Sequence, residues 1–471
     1  MRIVVATLLS AALLAAGTGL HPVPWLTWLA PLPVLFAAAR SGSRTAFAAG
    51  ALAWLGGQTL MWHYFAGVLE MPLPVAASII LGTSALFGLV VLLFRALRAR
   101  PLLAAPAFAA GWVAVEYGVS LALPHGAWWS LAYTQSDVLP VLQTLSVTGV
   151  WGVTFLLLLV PAAVATLDLR TAMATALVGA LALGYGFARL AVPQDAPGER
   201  VALLATDRQD GSLDVTGAKG RAILAGYVER VRDLAAGGAR LIVLPEKTFS
   251  VDDTTLPLVA GPMTKIAAEH GADVVVGLTL ARNGARYNAA LDFPPSGRPV
   301  EYFKQHLIPG GEGELRPGPA GNTAYVPGRP WAIAVCKDLD FPGLVRSYRD
   351  GGATALFAPA WDFPGDEWIH SRIALARGVE SGMTIARVPR DGLLLLSDPT
   401  GRVVAERASR GAPFVSIVAT LPAAASPTLY SRFGDWFAWA CLALTLCSGA
   451  SLLAGSTQGR RTHAAARTAT A

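Results

Sequence analysis

The chain has 471 residues, 54% of them hydrophobic and 14% charged, with a formal net charge of +6 and a mean hydropathy of +0.49. Soluble globular chains carry roughly a quarter charged residues, so this composition excludes a wholly soluble protein and places part of the chain in lipid. The positive balance does not signal nucleic acid, because the arginines stand in short clusters at the ends of apolar segments, where they orient a membrane protein.

Residues 1–190 are nearly free of acids, whereas about 198–425 read as an ordinary soluble domain. Apolar stretches long enough to cross a bilayer, which takes roughly 17–25 helical residues, fall near 3–20, 24–39, 47–65, 74–94, 102–122, 139–166, 171–190 and 433–454. The first begins like a secretory signal, with Arg2, but runs into further spans without a small-residue cleavage site, so it counts as a membrane helix. Arg40 and Arg44, then Arg95, Arg98 and Arg100, then Arg170, and finally Arg460, Arg461 and Arg467 follow alternate spans. Basic loops stay in the cytoplasm. The opposite side receives the loops with Glu70 and Asp137 and the whole soluble domain, which is therefore expected outside the cytoplasm. The expected organisation is about seven membrane helices in 1–195, a catalytic domain in 196–426, a last helix in 427–456 and a cytoplasmic basic tail in 457–471. Many spans also suit a transporter, which needs ionisable or broken-helix features inside them. Glu116, in "GWVAVEYGV", is the clearest such acid; it has no second acid at comparable depth, and pairing with Trp112, a water or a neighbouring helix accounts for it equally.

From 198 onward short apolar strands alternate with amphipathic helices. Strands are expected at 200–206, 239–246, 272–280, 287–293 and 331–336, helices at 222–238, 262–271, 341–352 and 368–382, and closing strands at 384–389, 392–398 and 402–407. This is an α/β pattern. "GARLIVLPE" (238–246) faintly echoes "GATALFAPAWD" (352–362), which suggests two related layers. Open α/β sheets place their sites beyond the carboxyl ends of strands. Glu246 follows "LIVLP", Lys304 closes "VEYFK" and Cys336 follows "AIAV". Singly, each has a plain structural reading as a cap, a surface lysine or a small buried hydrophobe.

Cys336 is the only cysteine of the soluble domain, since Cys441 and Cys447 fall in the last span. Outside the cytoplasm it lacks a disulfide partner, and a polar turn follows it, which argues for use rather than packing. A thiol acts as a nucleophile when a base takes its proton and a cation stabilises the charge that develops. A glutamate and a lysine supply both, and the Lys337 backbone N–H at the start of the next turn completes an oxyanion hole. That set performs acyl transfer.

"LPE" at 244–246, "YFKQHLIPGGE" at 302–312 and the strand-borne Cys336 resemble the Glu-Lys-Cys triad of the nitrilase, or carbon-nitrogen hydrolase, superfamily. With the flanking spans, "WWSLAYTQSD" (128–137), "LQTLSVTGVWGVTFL" (142–156), "YNAALDF" (287–293), "WDFPGDEWIHSRIALARGVESG" (361–382) and "PTLYSRFGDW" (427–436), the whole chain is similar to the apolipoprotein N-acyltransferases. The resemblance implies about eight transmembrane helices plus an extracytoplasmic four-layer αββα sandwich, in a bacterial inner membrane with the catalytic domain on the periplasmic side. It implies that Cys336 attacks an ester-linked acyl chain of a phospholipid and passes it through a thioester to the α-amine of a diacylated apolipoprotein. Glu246 would be the base and Lys304 the electrostatic stabiliser. Glu312 would support them, with Lys337 and Asp338 as further supporting or substrate-binding positions. A monomer without cofactor or metal is expected; His306, beside Lys304, reads as a structural hydrogen-bonder rather than a ligand. Two other readings use the same residues, a membrane-tethered amidohydrolase with water as acceptor and an N-acyltransferase for another amine. A third is a transporter with a degenerate domain.

Overall fold

The computed structural model describes residues 1–193, 198–208 and 211–468, with side chains as far as 454. The side chains of Arg460, Arg461 and Arg467, and the expected boundary at 195, lie outside the described residues. Among the described residues, four helices are long and apolar enough to cross a membrane: Leu73–Ala96, Pro101–Ala122, Leu169–Leu190 and Trp436–Ala454. The last continues as helix to Thr468. Shorter apolar helical segments cover Arg2–Gly17, Pro24–Ala38, Leu139–Thr148 and Val150–Thr166.

The expected single span over 139–166 is broken. Leu139–Leu142 and Leu145–Thr148 are short turns of helix, and Val150–Thr166 starts afresh after Gly149. Gly149 has φ +65°, and a Cβ there would lie 2.5 Å from the Tyr430 ring, so the break needs a residue without a side chain. The expected 47–65 span likewise divides into Ser43–Gly57, Thr59–His63 and a wide π turn at Tyr64–Val68. Arg95 donates to the Ser41 carbonyl at 2.6 Å and to Ser43 Oγ at 2.9 Å, which ties two of the basic loops together. Glu116 is buried and takes four donors: Trp112 Nε1 (3.1 Å), Leu131 N (2.9 Å), Ser130 Oγ (2.8 Å) and Thr154 Oγ1 (2.9 Å). It is a fully bonded strut between its own helix, the following loop and Val150–Thr166.

Among the described residues, the part from 198 onward contains two sheets. The larger runs in the order Val415–Thr420, Arg200–Ala205, Leu241–Val243, Asp273–Arg282, Phe249–Asp252, Leu213–Asp214. Ala285–Phe293 folds back antiparallel on Asp273–Arg282, and Val300–Phe303 pairs with it in turn. The smaller sheet runs Val403–Ala408, Leu393–Ser397, Thr384–Arg390, Ala355–Trp361, Trp331–Ile333, Ala324–Tyr325. Side chains alternate across a strand. In Arg200–Ala205, Val201, Leu203 and Ala205 join a core shared with Ile333, Phe357 and Ile385 of the smaller sheet. Ala202 and Leu204 turn the other way, onto helices Ala218–Ala236 and Leu256–His270. The two echoing segments contribute one strand to each sheet.

Several boundaries differ from the sequence reading. The helix expected from 262 begins at Leu256, with Pro257 in its first turn and Pro262 inside it. The strands expected to reach Glu246 and Cys336 leave their ladders at Val243 and Ile333. Phe249–Asp252 and Val415–Thr420 are strands that periodicity does not reveal.

Candidate active site

Glu246, Lys304 and Cys336 all stand just past strand ends. The larger sheet carries Glu246 and Lys304; the smaller carries Cys336. The Glu246 N–H donates to the Ala360 carbonyl of the smaller sheet at 3.3 Å, so the two edges meet at the site. Close approach of the 244–248 turn to its neighbour requires Gly277, where a Cβ would sit 2.2 Å from the Pro245 carbonyl oxygen.

Lys304 Nζ is fully buried and donates to Glu246 Oε1 at 2.8 Å and to Glu312 Oε2 at 2.9 Å. Burial alone would pull its ammonium down, but the two carboxylates hold it well above its usual range. Burial also opposes ionisation of Glu312; Lys304 and Lys247 outweigh it and hold that carboxyl at about 2. The Ile308 N–H adds a bond to Glu312 Oε2 at 2.9 Å. A buried charge persists only when so paired.

Two members of this cluster escaped the sequence reading. Asn288 Nδ2 donates to both Glu246 Oε1 (2.5 Å) and Glu312 Oε1 (2.7 Å), bridging the acids. Its only signal was a polar residue in mid-strand within "YNAALDF". Lys247 Nζ donates to Glu312 Oε1 at 2.9 Å. It follows Glu246 in sequence, and nothing in the residue pattern marks it. Among the described residues Glu246 Oε2 has no hydrogen-bond partner, which leaves it open to take a proton.

Cys336 opens a 3-10 turn, Cys336–Asp340, with φ +46°. A left-handed backbone at a non-glycine residue stores strain and is a mark of functional turns. Its Sγ lies 3.7 Å from the Trp361 carbonyl oxygen. Burial pushes the thiol up and Glu246 adds to this, while Lys304 and Arg387 pull it down. The resting group is a neutral thiol within electrostatic reach of both other strand-end residues.

Asp338 is buried and accepts from Tyr302 OH (2.8 Å), Gln305 N (3.2 Å), His306 N (2.9 Å) and Val335 N (3.3 Å). It ties the segment after Lys304 to the nucleophile turn. His306 Nδ1 lies 3.0 Å from Asp338 Oδ1, and its ring stacks on Phe341. The Lys337 side chain points elsewhere, to Asp340 at 3.4 Å, and joins none of the bonds around Lys304. Among the described residues, no three His, Cys, Asp or Glu side chains are placed to hold a metal.

The loop that follows helix Pro101–Ala122 packs against this turn. The Ala127 N–H donates to the Asp340 carbonyl at 2.8 Å. Tyr64 OH donates to Asp366 at 2.5 Å.

Residues 217–424 match the carbon-nitrogen hydrolase family, and residues 10–163 match the apolipoprotein N-acyltransferase N-terminal domain. The class is thus a nitrilase-like α/β domain joined to an apolar helical domain, in a bacterial membrane protein. The chain is 27% identical to the apolipoprotein N-acyltransferase of Geobacter metallireducens over 92% of each protein. It is also 27% identical to that of Gloeobacter violaceus, over 95% of this chain and 93% of the relative. Among solved structures, an amidase from Nesterenkonia sp. aligns with 48% of this chain and 92% of its own at 21% identity, with a TM-score of 0.41. The chain is thus similar to the apolipoprotein N-acyltransferases over nearly its whole length.

Proposed function

We propose that this protein N-acylates apolipoproteins, moving an acyl chain from a membrane phospholipid through a Cys336 thioester to the α-amine of the N-terminal diacylglyceryl-cysteine. The observation that carries the reading is the buried Lys304, bonded to two glutamates beside the thiol, in a domain seated on apolar helices. Glu246 Oε2 takes the thiol proton as Sγ attacks the ester carbonyl, and Lys304 with the Lys337 N–H steadies the oxyanion. Collapse of the tetrahedral intermediate expels the lysophospholipid alkoxide, which receives that proton from Glu246. In the second half the acceptor amine attacks the thioester, loses a proton to Glu246, and the proton returns to sulfur. No cofactor or metal enters this scheme.

Donor and acceptor both carry acyl chains, so a catalytic domain held at the bilayer surface meets them in one thin layer at raised effective concentration. The reading includes about eight spans in 1–195 and 427–456, a four-layer αββα domain over 196–426, and a basic cytoplasmic tail. The Arg95 bonds to the 41–43 loop support one basic face, with the catalytic domain on the opposite, periplasmic face of the inner membrane. The protein acts as a monomer and without nucleic acid.

The test is mass spectrometry of lipoprotein N-termini from cells depleted of this protein and rescued with wild type or Cys336→Ala. Diacylated, free-amine lipoproteins should accumulate on depletion and persist in the Cys336→Ala rescue. Fully N-acylated termini in that rescue would refute the reading, and free fatty acid as the sole product in vitro would make the protein a hydrolase.

A further inference from the structure

The cluster contains two carboxylates and two ammoniums, and the triad chemistry uses only one of the ammoniums. Lys304 alone would face Glu246 and Glu312 together, leaving a net negative site next to a thiol that must develop negative charge. Lys247 removes that imbalance. Its side chain is only 14% exposed and its ammonium donates to Glu312 Oε1, the oxygen that Lys304 does not take. Glu312 is therefore clamped at both oxygens, Oε1 by Lys247 and Asn288 and Oε2 by Lys304 and the Ile308 N–H.

The backbone pays for this placement. Lys247 has φ +48°, a left-handed conformation that a lysine rarely adopts. The turn is pinned on either side: Thr248 N donates to the Gly277 carbonyl at 2.8 Å and Thr248 Oγ1 to the Pro245 carbonyl at 2.7 Å. In that conformation the side chain folds back over the site, 4.9 Å above the Trp361 ring, whose own carbonyl faces the Cys336 thiol. A solvent-facing lysine would need neither the strained backbone nor the aromatic platform.

We propose that Lys247 is a positioning residue of the acyl-transfer site, fixing and neutralising Glu312 so that the Lys304 ammonium is left to the developing oxyanion. The proposal rests on the acyl-transfer reading. Lys304 has three donors, two of which already go to carboxylates. With Glu312 neutralised from its other side, the third can follow the oxyanion and the ammonium keeps its field there. Without Lys247, Glu312 draws the charge of Lys304 to itself.

The experiment uses the full-length protein in mixed micelles with phosphatidylethanolamine, and follows the trapped acyl-enzyme by intact mass in a single turnover. Iodoacetamide alkylation of Cys336 reports separately on the thiol and the fold. Lys247→Met should slow acyl-enzyme formation about 10- to 100-fold, the range set by one lost bond between charged groups. Alkylation should stay within about threefold, and Lys247→Arg should recover most of the rate. In a Glu312→Gln background, Lys247→Met should cost less than about threefold, because its partner is already neutral. Lys247→Met acylating at the wild-type rate overturns the proposal. So does a loss of equal size in the Glu312→Gln background, or one matched by alkylation. Absence of any acyl-enzyme in the wild type instead overturns the acyl-transfer reading, and the role of Lys247 with it.

Discussion

Replacing Asn288 with leucine removes both bridges between the glutamates while nearly conserving side-chain volume. Each bridge ends on a carboxylate, at 2.5 Å on Glu246 and 2.7 Å on Glu312. Hydrogen bonds to charged groups contribute about 1.5–3 kcal/mol apiece. Lys304 still holds both acids, so the lower part of that range applies, roughly 3–4 kcal/mol for the pair. At about 1.4 kcal/mol per decade this corresponds to some 100- to 1,000-fold in rate if it falls on the transition state. It should fall there, because Asn288 fixes the orientation of Glu246 and leaves Oε2 free to receive the thiol proton. The assay is single-turnover acyl-enzyme formation from phospholipid, read by intact mass, with thermal unfolding of the detergent-solubilised protein in parallel. Asn288→Asp should be slower still near neutral pH, since it sets a third carboxylate among two, and should recover in part as the pH falls. A leucine variant that acylates within about threefold of wild type would show that the bridges do not orient the base.

Two further outcomes are expected. Asp292 is buried without a hydrogen-bond partner among the described residues, and burial, with Asp273 adding to it, pushes its carboxyl up to about 8. Because the folded state binds the proton more tightly than the unfolded chain does, stability is greatest below about pH 4 on this account and falls as pH rises toward 8, by up to about 1.4 kcal/mol per unit. Asp292→Asn should flatten that decline in melting midpoints compared at pH 5 and 7.5, and parallel losses in both proteins would sink the argument. Gly126 has φ +55°, and a Cβ there would lie 2.3 Å from the Asp340 carbonyl oxygen. Gly126→Ala should therefore push this loop away from the nucleophile turn and lower turnover about 5- to 150-fold, the equivalent of about 1–3 kcal/mol of strain; a variant with more than half of wild-type activity would contradict the contact.

The strand-end residues were legible because an apolar run that stops at a charged or nucleophilic residue is a local pattern. Glu246, Lys304 and Cys336 each end one, and the structure brings them together where the edges of the two sheets meet. Asn288 was hidden because its neighbours are ordinary strand residues, and only the strand pairing reveals that it faces two acids. Lys247 was hidden for another reason: its direction depends on a left-handed φ that no residue type announces except glycine. Strand order is a matter of long-range pairing, so the sequence could not say that Phe249–Asp252 pairs with the far half of Asp273–Arg282. The broken segment at 139–148 defeated the hydropathy reading because its polar residues, Gln143, Thr144, Ser146 and Thr148, are uncharged and alternate with apolar ones, so that Gly149 was the plainest sign of a break.

The bond from the Ala127 N–H to the Asp340 carbonyl joins the nucleophile turn to the loop that Glu116 holds. An excised hydrolase domain would keep every strand-end residue and lose the surface on which its nucleophile turn rests. A soluble fragment of this protein is for that reason a poor stand-in for screening inhibitors. Compounds chosen against it would meet a turn free to relax, whereas those chosen against the full chain meet one braced by an acid in the apolar helices below.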